Sequence, residues 1–376
     1  MPKVALLPVF VCEFLKMIIF APEATSPKPA TSSQELPSSS NLKSWRWWLM
    51  ISLFTLFILA GQAAGTLLGR FYYNNGGKSI WMATIVQSAG APLLFPFVLL
   101  YPLASSSSSS PATASAVKIA AVYIGIGLLI AGDNLMYSYG LLYLPVSTYS
   151  LVCATQLAFN ALFAYFLNSQ KFTAFIFNSI ILLTLAATLL GVRSEGGGSV
   201  SSDKYPLGFT LTIAASATFS LMMSLTQLSF QKVLKSETFL VVIQMTLWTN
   251  FLAAVASVVG LFVSGEWRGI HLEFGEFEKG KVSYVMTLVW IAISWLLYSV
   301  GAVGLIFVVS SLFSNVIATL ALPVVPIFAV VFFHDSMDGV KVIALLIATL
   351  GFANYMYQHY LDDSKQKKSR RRRDDL

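Results

Sequence analysis

Asp133 is the residue with most to explain. Of the 17 acids in the chain it alone falls clearly inside a long apolar stretch, where a carboxylate is costly unless it is paired, protonated or wetted. Asn134 follows it, and Tyr137 stands four positions on, so these side chains crowd one end of that stretch. Two readings stay open from the residues alone. Asp133 handles a proton or a solute, or it forms an ion pair with Arg70 or Lys78, which sit near the ends of the two preceding apolar stretches. A second group is Tyr149, Cys153, Gln156 and Asn160, spaced 4, 3 and 4, which places them on one helical face. A polar stripe on an apolar helix lines a cavity or bonds a neighbouring helix. Ser311, Asn315 and Thr319 form a similar stripe, followed by Pro323 and Pro326. These prolines would remove the bonds to the carbonyls of Thr319 and Leu322, so the helix either opens backbone groups to a solute or simply kinks.

The aromatic residues add a third element. Trp290, Trp295 and Tyr298 lie in one stretch, with Trp295 and Tyr298 three apart on one face. Flat aromatic solutes stack on such rings, worth roughly 1–3 kcal/mol per base in nucleic-acid sites. The amides of Asn134, Gln156 and Asn160 offer both donor and acceptor, which suits the edge of a purine. Any single aromatic is more often packed against lipid or core; the set says more than its members. Gln62, Thr66 and Arg70 could face the same space, one residue round from a Gly61, Gly65, Gly69 stripe suited to close helix contact. The lone amides Gln87, Gln227 and Gln244 could each simply bond a neighbour. Catalytic machinery is not legible. His271, His334 and His359 are far apart, and no metal-ligand spacing, phosphate loop or nucleophile elbow occurs, so neither an enzyme nor a cofactor is expected.

The elements that must position these residues follow from composition. The 376-residue chain is 56% hydrophobic and 11% charged, against roughly 25% charged in a soluble protein. A soluble domain and a disordered chain are both excluded. The net charge of +7 comes mostly from the tail, so no basic face for nucleic acid is expected. The two cysteines, Cys12 and Cys153, make no disulfide framework. A bilayer core about 30 Å thick needs about 20 apolar residues. Ten such stretches run near 47–69, 80–102, 117–139, 146–168, 172–192, 207–230, 239–264, 282–308, 311–333 and 339–360. Lipid offers the backbone no water, so they are helices. Turn or charge signals mark most breaks, including Asn74 to Lys78, the serine run 105–110, Leu144-Pro145, Ser169 to Lys171 and Gly196 to Gly198. The weakest break is Val308-Val309-Ser310, which carries no charge.

The first 45 residues read as a non-spanning cytosolic extension rather than a signal peptide, because Pro8, Glu13 and Lys16 interrupt the apolar run and no clean cleavage pattern follows. Most basic residues fall on the side that holds both ends of the chain, including the arginines 370–373, which places both termini in the cytosol. Trp45, Trp47 and Trp48 suit the inner interface. The halves of the chain resemble each other weakly: Tyr137 to Gly140 pairs with Tyr298 to Gly301, and Ala187 to Leu189 with Ala348 to Leu350, each offset by 161 residues. Five helices per unit is an odd number, so the second unit is inverted, the architecture of alternating-access carriers. The expected fold is an all-α membrane protein of ten transmembrane helices in two inverted five-helix repeats, 46–193 and 207–361. A connecting loop spans 194–206 and a basic cytosolic tail 362–376.

Several stretches resemble the plant purine permease family of the drug/metabolite transporter superfamily. They are Leu68 to Tyr73 through Gly76 to Trp81, Gly132 to Tyr137, and Leu144 to Tyr149 with Thr155-Gln156. Ser311 to Asn315 with Leu322 to Pro326, and His334-Asp335, complete the set. The resemblance covers about residues 44–362, and the departures lie in the N-terminal extension and the serine-rich loop. It implies a drug/metabolite transporter-like carrier of adenine, cytokinins and related heteroaromatic compounds, driven by protons, with lipid as its surroundings. On this reading Asp133 binds the proton or a substrate nitrogen. Asn134, Tyr137, Tyr149, Gln156, Asn160 and Asn315 contact the solute, and Trp295 and Tyr298 stack on it. The plasma membrane is the expected address, with vacuole and endoplasmic reticulum as alternatives. Two other readings are a carrier of another small metabolite, such as a vitamin or alkaloid, and a non-transporting membrane sensor or scaffold. A nucleotide sugar is disfavoured, since a phosphate dianion wants basic residues that the deep stretches lack.

Overall fold

The computed structural model describes residues 38–98, 116–168, 173–192, 204–234, 239–322, 324–334 and 337–374. The N-terminal extension, the serine run, most of the connecting loop, Pro323 and Asp335 lie outside these. Among the described residues the regular structure is all helical. In chain order the helices are α1 Ser38–Asn74, α2 Ile80–Ser88, α3 Ala116–Tyr143, α4 Val146–Cys153, α5 Gln156–Asn168, α6 Ala174–Val192 and α7 Tyr205–Ser229. They continue with α8 Phe239–Ser264, α9 Ile270–Glu276, α10 Lys281–Val308, α11 Ser311–Ala321, α12 Val324–Phe333 and α13 Gly339–Asp374. Each of the ten apolar stretches falls on a helix or a helix pair. Eight segments are long and apolar enough to cross a membrane, while Ala174–Leu189 and Gly339–Asn354 are shorter apolar helices.

Polar caps set several of the helix starts. Ser79 accepts from the Met82 N–H at 3.0 Å and starts α2. Asp338 accepts from the Lys341 N–H at 3.1 Å and starts α13. The uncharged break before α11 is made by Ser310, whose hydroxyl accepts from the Phe313 N–H at 3.1 Å. A hydroxyl or carboxylate here satisfies a helix N–H that lipid could not. At its other end α13 runs on into the basic tail as far as Asp374, past the boundary at residue 361 that apolar content suggests. Lys, Gln and Arg are good helix formers, and no Gly or Pro interrupts the run.

Among the described residues three of the stretches are broken, the second of them where α2 ends at Ser88 and a 3-10 turn, Ala91–Leu94, follows. The ninth divides into α11 and α12 around Pro323, and the bond of the Leu322 N–H to the Thr319 carbonyl (3.1 Å) closes its first half. The fourth divides into α4 and α5 at Ala154-Thr155 without any proline. There the Ala154 and Thr155 N–H groups bond the carbonyls three back, Leu151 and Val152, and the Thr155 hydroxyl donates to the Val152 carbonyl at 2.8 Å.

Packing is most extensive between α1 and α10, between α6 and α13, and between α3 and α7, with α8 against α3 and α5 against α7 following. The glycine stripe explains the first pair. A Cβ on Gly61 would lie 2.5 Å from the Ser294 carbonyl oxygen and 2.8 Å from the Tyr298 nitrogen, and one on Gly65 would lie 2.8 Å from the Trp295 ring. Backbone-to-backbone approach of this kind replaces the hydrophobic effect as the helix-joining force in lipid. Gly69 does the same against Leu141 of α3, at 2.8 Å.

Candidate functional site

A cavity of about 970 Å³ lies at the centre of the bundle, lined from α1, α2, α3, α4, α5, α7, α8 and α10. The lining contains Asp133, Asn134, Tyr137, Tyr149, Gln156, Trp295 and Tyr298, so residues far apart in sequence converge on one space. Gln62, Thr66, Gln87 and Cys153 join them. Among the described residues no lysine, arginine or histidine is in the lining.

Asp133 is 4% exposed, and its Oδ1 has no hydrogen-bond partner. The ion-pair alternative is not realised among the described residues. The Arg70 guanidinium donates to the carbonyls of Leu141 and Leu144, at 2.9 and 3.1 Å, tying α1 to the joint between α3 and α4. The Lys78 ammonium pairs with Glu276 at 3.0 Å. A buried carboxylate with an empty acceptor, facing a cavity, is a candidate functional group.

The surrounding polar groups are held in place. The Asn134 amide donates to the Ser88 hydroxyl at 3.0 Å, and the Gln87 amide to the Ser138 hydroxyl at 2.9 Å and the Asn134 carbonyl at 3.3 Å. The Gln156 amide donates to the Thr319 hydroxyl at 3.2 Å, while its carbonyl accepts from the Ser220 hydroxyl at 2.6 Å and the Asn315 amide at 3.4 Å. Helices α5, α7 and α11 therefore meet at one backbone group. The Tyr137 hydroxyl donates to Ser216 at 3.4 Å, and its ring meets Tyr149 edge-on at 5.9 Å. Trp295 and Tyr298 are edge-on at 5.4 Å, and Phe219 lies 6.4 Å from Tyr298.

Two of the residues expected to contact a solute lie elsewhere. Asn160 and Asn315 are fully buried at the crossing of α5 and α11, behind Gln156 and off the cavity wall. Both Asn160 amide atoms and the Asn315 Oδ1 have no partner. Trp290 also lies off the wall, and Gln227 instead accepts from the Ser311 N–H at 3.0 Å and from its hydroxyl. Reasoning from sequence missed Thr249 and Asn250, which line the cavity from α8. The stripe rule would have found them, since Thr246, Thr249 and Asn250 recur three and four apart. It also missed Met222, Met223 and Met245, polarisable side chains that supply an adaptable apolar wall. Among the described residues no group of three or more His, Cys, Asp or Glu could hold a metal ion.

Comparison with known proteins bears on what such a cavity carries. A family model for purine nucleobase transmembrane transport matches residues 49–365. "Probable purine permease 11" of Arabidopsis thaliana is 54% identical over 331 residues, covering 88% of this chain and 87% of its own. "Purine permease 21" of the same plant is 49% identical over 342 residues, covering 90% and 87%.

Proposed function

This chain belongs to the purine permease family, a family of transporters rather than enzymes, and from that premise we propose that it imports purine bases and their cytokinin derivatives together with protons. The family and the eight long apolar helices make it a multi-pass membrane transporter of purine nucleobases. The finer reading rests on one observation: an unpaired, buried carboxylate shares a cation-free cavity with two amides and an aromatic pair. Asp133 takes a proton from the outer aqueous side, which removes the cost of a buried charge, and the neutral acid donates to a ring nitrogen of the solute. Asn134 and Gln156 read the purine edge, Trp295 and Tyr298 stack on its face, and Tyr137 and Tyr149 close the space beside it. Release of proton and solute on the cytosolic side returns the carboxylate to its ionised form. Asn315 holds the crossing behind Gln156 through its bond to the Gln156 backbone carbonyl.

The two halves work as inverted five-helix repeats, with α6 and α13 making up the ten spans. The packing supports this reading. Exchanging α1 with α7, α2 with α8, α3 with α10, α4–α5 with α11–α12 and α6 with α13 carries the main helix pairs onto one another. The pair α1–α10 becomes α7–α3, α8–α3 becomes α2–α10, and α6–α13 maps to itself. The interrupted fourth and ninth stretches are partners under this exchange, whereas the interrupted second has the continuous α8 as its partner. Rocking of one half against the other about a central site then gives alternating access. Both termini are cytosolic, and the plasma membrane is the site of import.

The test is uptake of radiolabelled adenine and trans-zeatin in yeast lacking its own purine importer, at pH 5 and pH 7.5. Wild type and Asp133→Asn are compared at matched surface abundance. We expect uptake by wild type that is stronger at acid pH, and loss of that pH response in the variant. Uptake that Asp133→Asn retains with its pH response would remove the proton from Asp133. No uptake of either compound by surface protein would overturn the substrate.

A further inference from the structure

Helix α9 and the turn Glu266–Arg268 before it lie against the joint between α1 and α2, at the end of the bundle where α10 begins. Glu273, in α9, is 4% exposed although it sits outside every apolar stretch. Its Oε2 accepts from the backbone N–H groups of Lys78 and Ser79, at 3.1 and 2.9 Å. Its Oε1 accepts from the hydroxyls of Tyr284, at 3.1 Å, and of Tyr72. Glu266 adds bonds from the Ser79 hydroxyl (2.7 Å) and the Trp81 N–H (3.1 Å). One carboxylate thus ties the first half of the chain to the second, across 201 residues in the case of Tyr72. Four directional bonds to one group break together when α9 shifts, which is how a latch behaves and a greasy seal does not.

What lies beneath makes the latch part of the path. A second, smaller chamber is lined by Gly69, Tyr72, Tyr73 and Leu141 and shares Thr66, Gln87, Tyr137, Tyr149 and Trp295 with the main cavity. The two chambers are therefore consecutive, and Tyr72 belongs both to the latch and to the wall of the nearer one. The main cavity extends the opposite way. Its lining reaches Ile306, two residues from the end of α10, and Met245, in the second turn of α8. The chambers thus run from beneath the Glu273 latch towards the opposite end of the bundle. We propose that Glu273 is the gate residue at its own end: its bonds to Tyr72, Tyr284 and residues 78–79 must break in each transport cycle to admit a solute from the face that carries α9. This rests on the carrier reading above.

The experiment uses the full chain with both native cysteines changed to serine and a single reporter, Thr66→Cys, placed where the chambers meet. A second variant, Lys279→Cys in place of the reporter, establishes which face carries α9, since Lys279 is exposed. Modification of the Thr66→Cys thiol by a membrane-impermeant thiosulfonate is then timed from each face, with no solute present. Glu273→Ala is expected to raise the rate from the α9 face about tenfold or more, as a shift of population between two states, and to slow it from the opposite face. Tyr284→Phe, which removes one of the four bonds and keeps the ring, is expected to give a smaller rise in the same direction. If Glu273→Ala fails to accumulate, the Tyr284→Phe rate decides. Unchanged rates from the α9 face in every variant that reaches the membrane would overturn the gate. Because the measurement needs no solute, failure of adenine uptake would leave the gate standing and count only against the substrate.

Discussion

Asp133 and its neighbours face conflicting demands, since burial in an apolar bundle penalises a charge and an empty acceptor penalises a neutral group. On the proposed function the cavity reconciles them, because the carboxyl shares a solute and a proton rather than a fixed partner. The aromatic pair can be tested apart from the acid. If the solute stacks on Trp295 as proposed, at about 1–3 kcal/mol, Trp295→Ala should raise the KM for adenine about 5- to 150-fold while the maximal rate changes less. Trp295→Phe, which keeps a smaller ring face, should recover part of the loss. Equal KM values for all three proteins at matched abundance would assign Trp295 to packing against Gly65 alone. Asp133, Gln156 and the Trp295–Tyr298 pair were legible in the sequence because a polar or flat side chain in an apolar stretch carries its own explanation. Glu273 was not. A glutamate in a polar connection looks like any solvated acid, and only the docking of residues 266–284 on residues 72–81 takes it out of water.

Among the elements, α1 and α10 show how close contact fixes the cavity wall. Gly65 leaves room for the Trp295 ring, and any Cβ there would meet ring atoms at 2.8 Å. Gly65→Val should therefore push the indole towards the cavity and cost about 1–3 kcal/mol of overpacking. The expected result is a lower melting temperature in detergent and loss of adenine uptake, whereas Gly132→Ala, where an added Cβ meets nothing within 4 Å, should leave the melting temperature close to wild type. A Gly65→Val protein that melts and transports like wild type would separate the stripe from the site. The existence of the helices was readable because twenty apolar residues in lipid have no other structure. The break in the ninth stretch was readable from its prolines. The break between α4 and α5 was not, because tertiary bonds hold it: Ser220 from α7 and Asn315 from α11 both converge on the Gln156 carbonyl. The short α9 was missed for a related reason, since its seven residues have no apolar period of their own and gain their position from Glu273.

For the whole molecule, the cavity is the seam between the halves, with α1 to α5 on one side and α7, α8 and α10 on the other. A solute bound there touches both halves at once, so binding must oppose their separation as well as fill space. A ligand that binds only the folded state stabilises it by RT ln(1 + [L]/Kd), about 2.7 kcal/mol at a hundred times Kd. Purified protein should accordingly melt several degrees higher with saturating adenine, as read by fluorescence-detected size-exclusion after heating. A nucleoside diphosphate sugar should give no such rise, because the lining offers its phosphates no cation. Asp133→Asn and Trp295→Ala should each need more adenine for the same shift. The Glu273→Ala protein should keep the shift with adenine, since Glu273 is not among the residues that line the main cavity. A rise with the sugar nucleotide and none with adenine would assign this cavity to a different cargo.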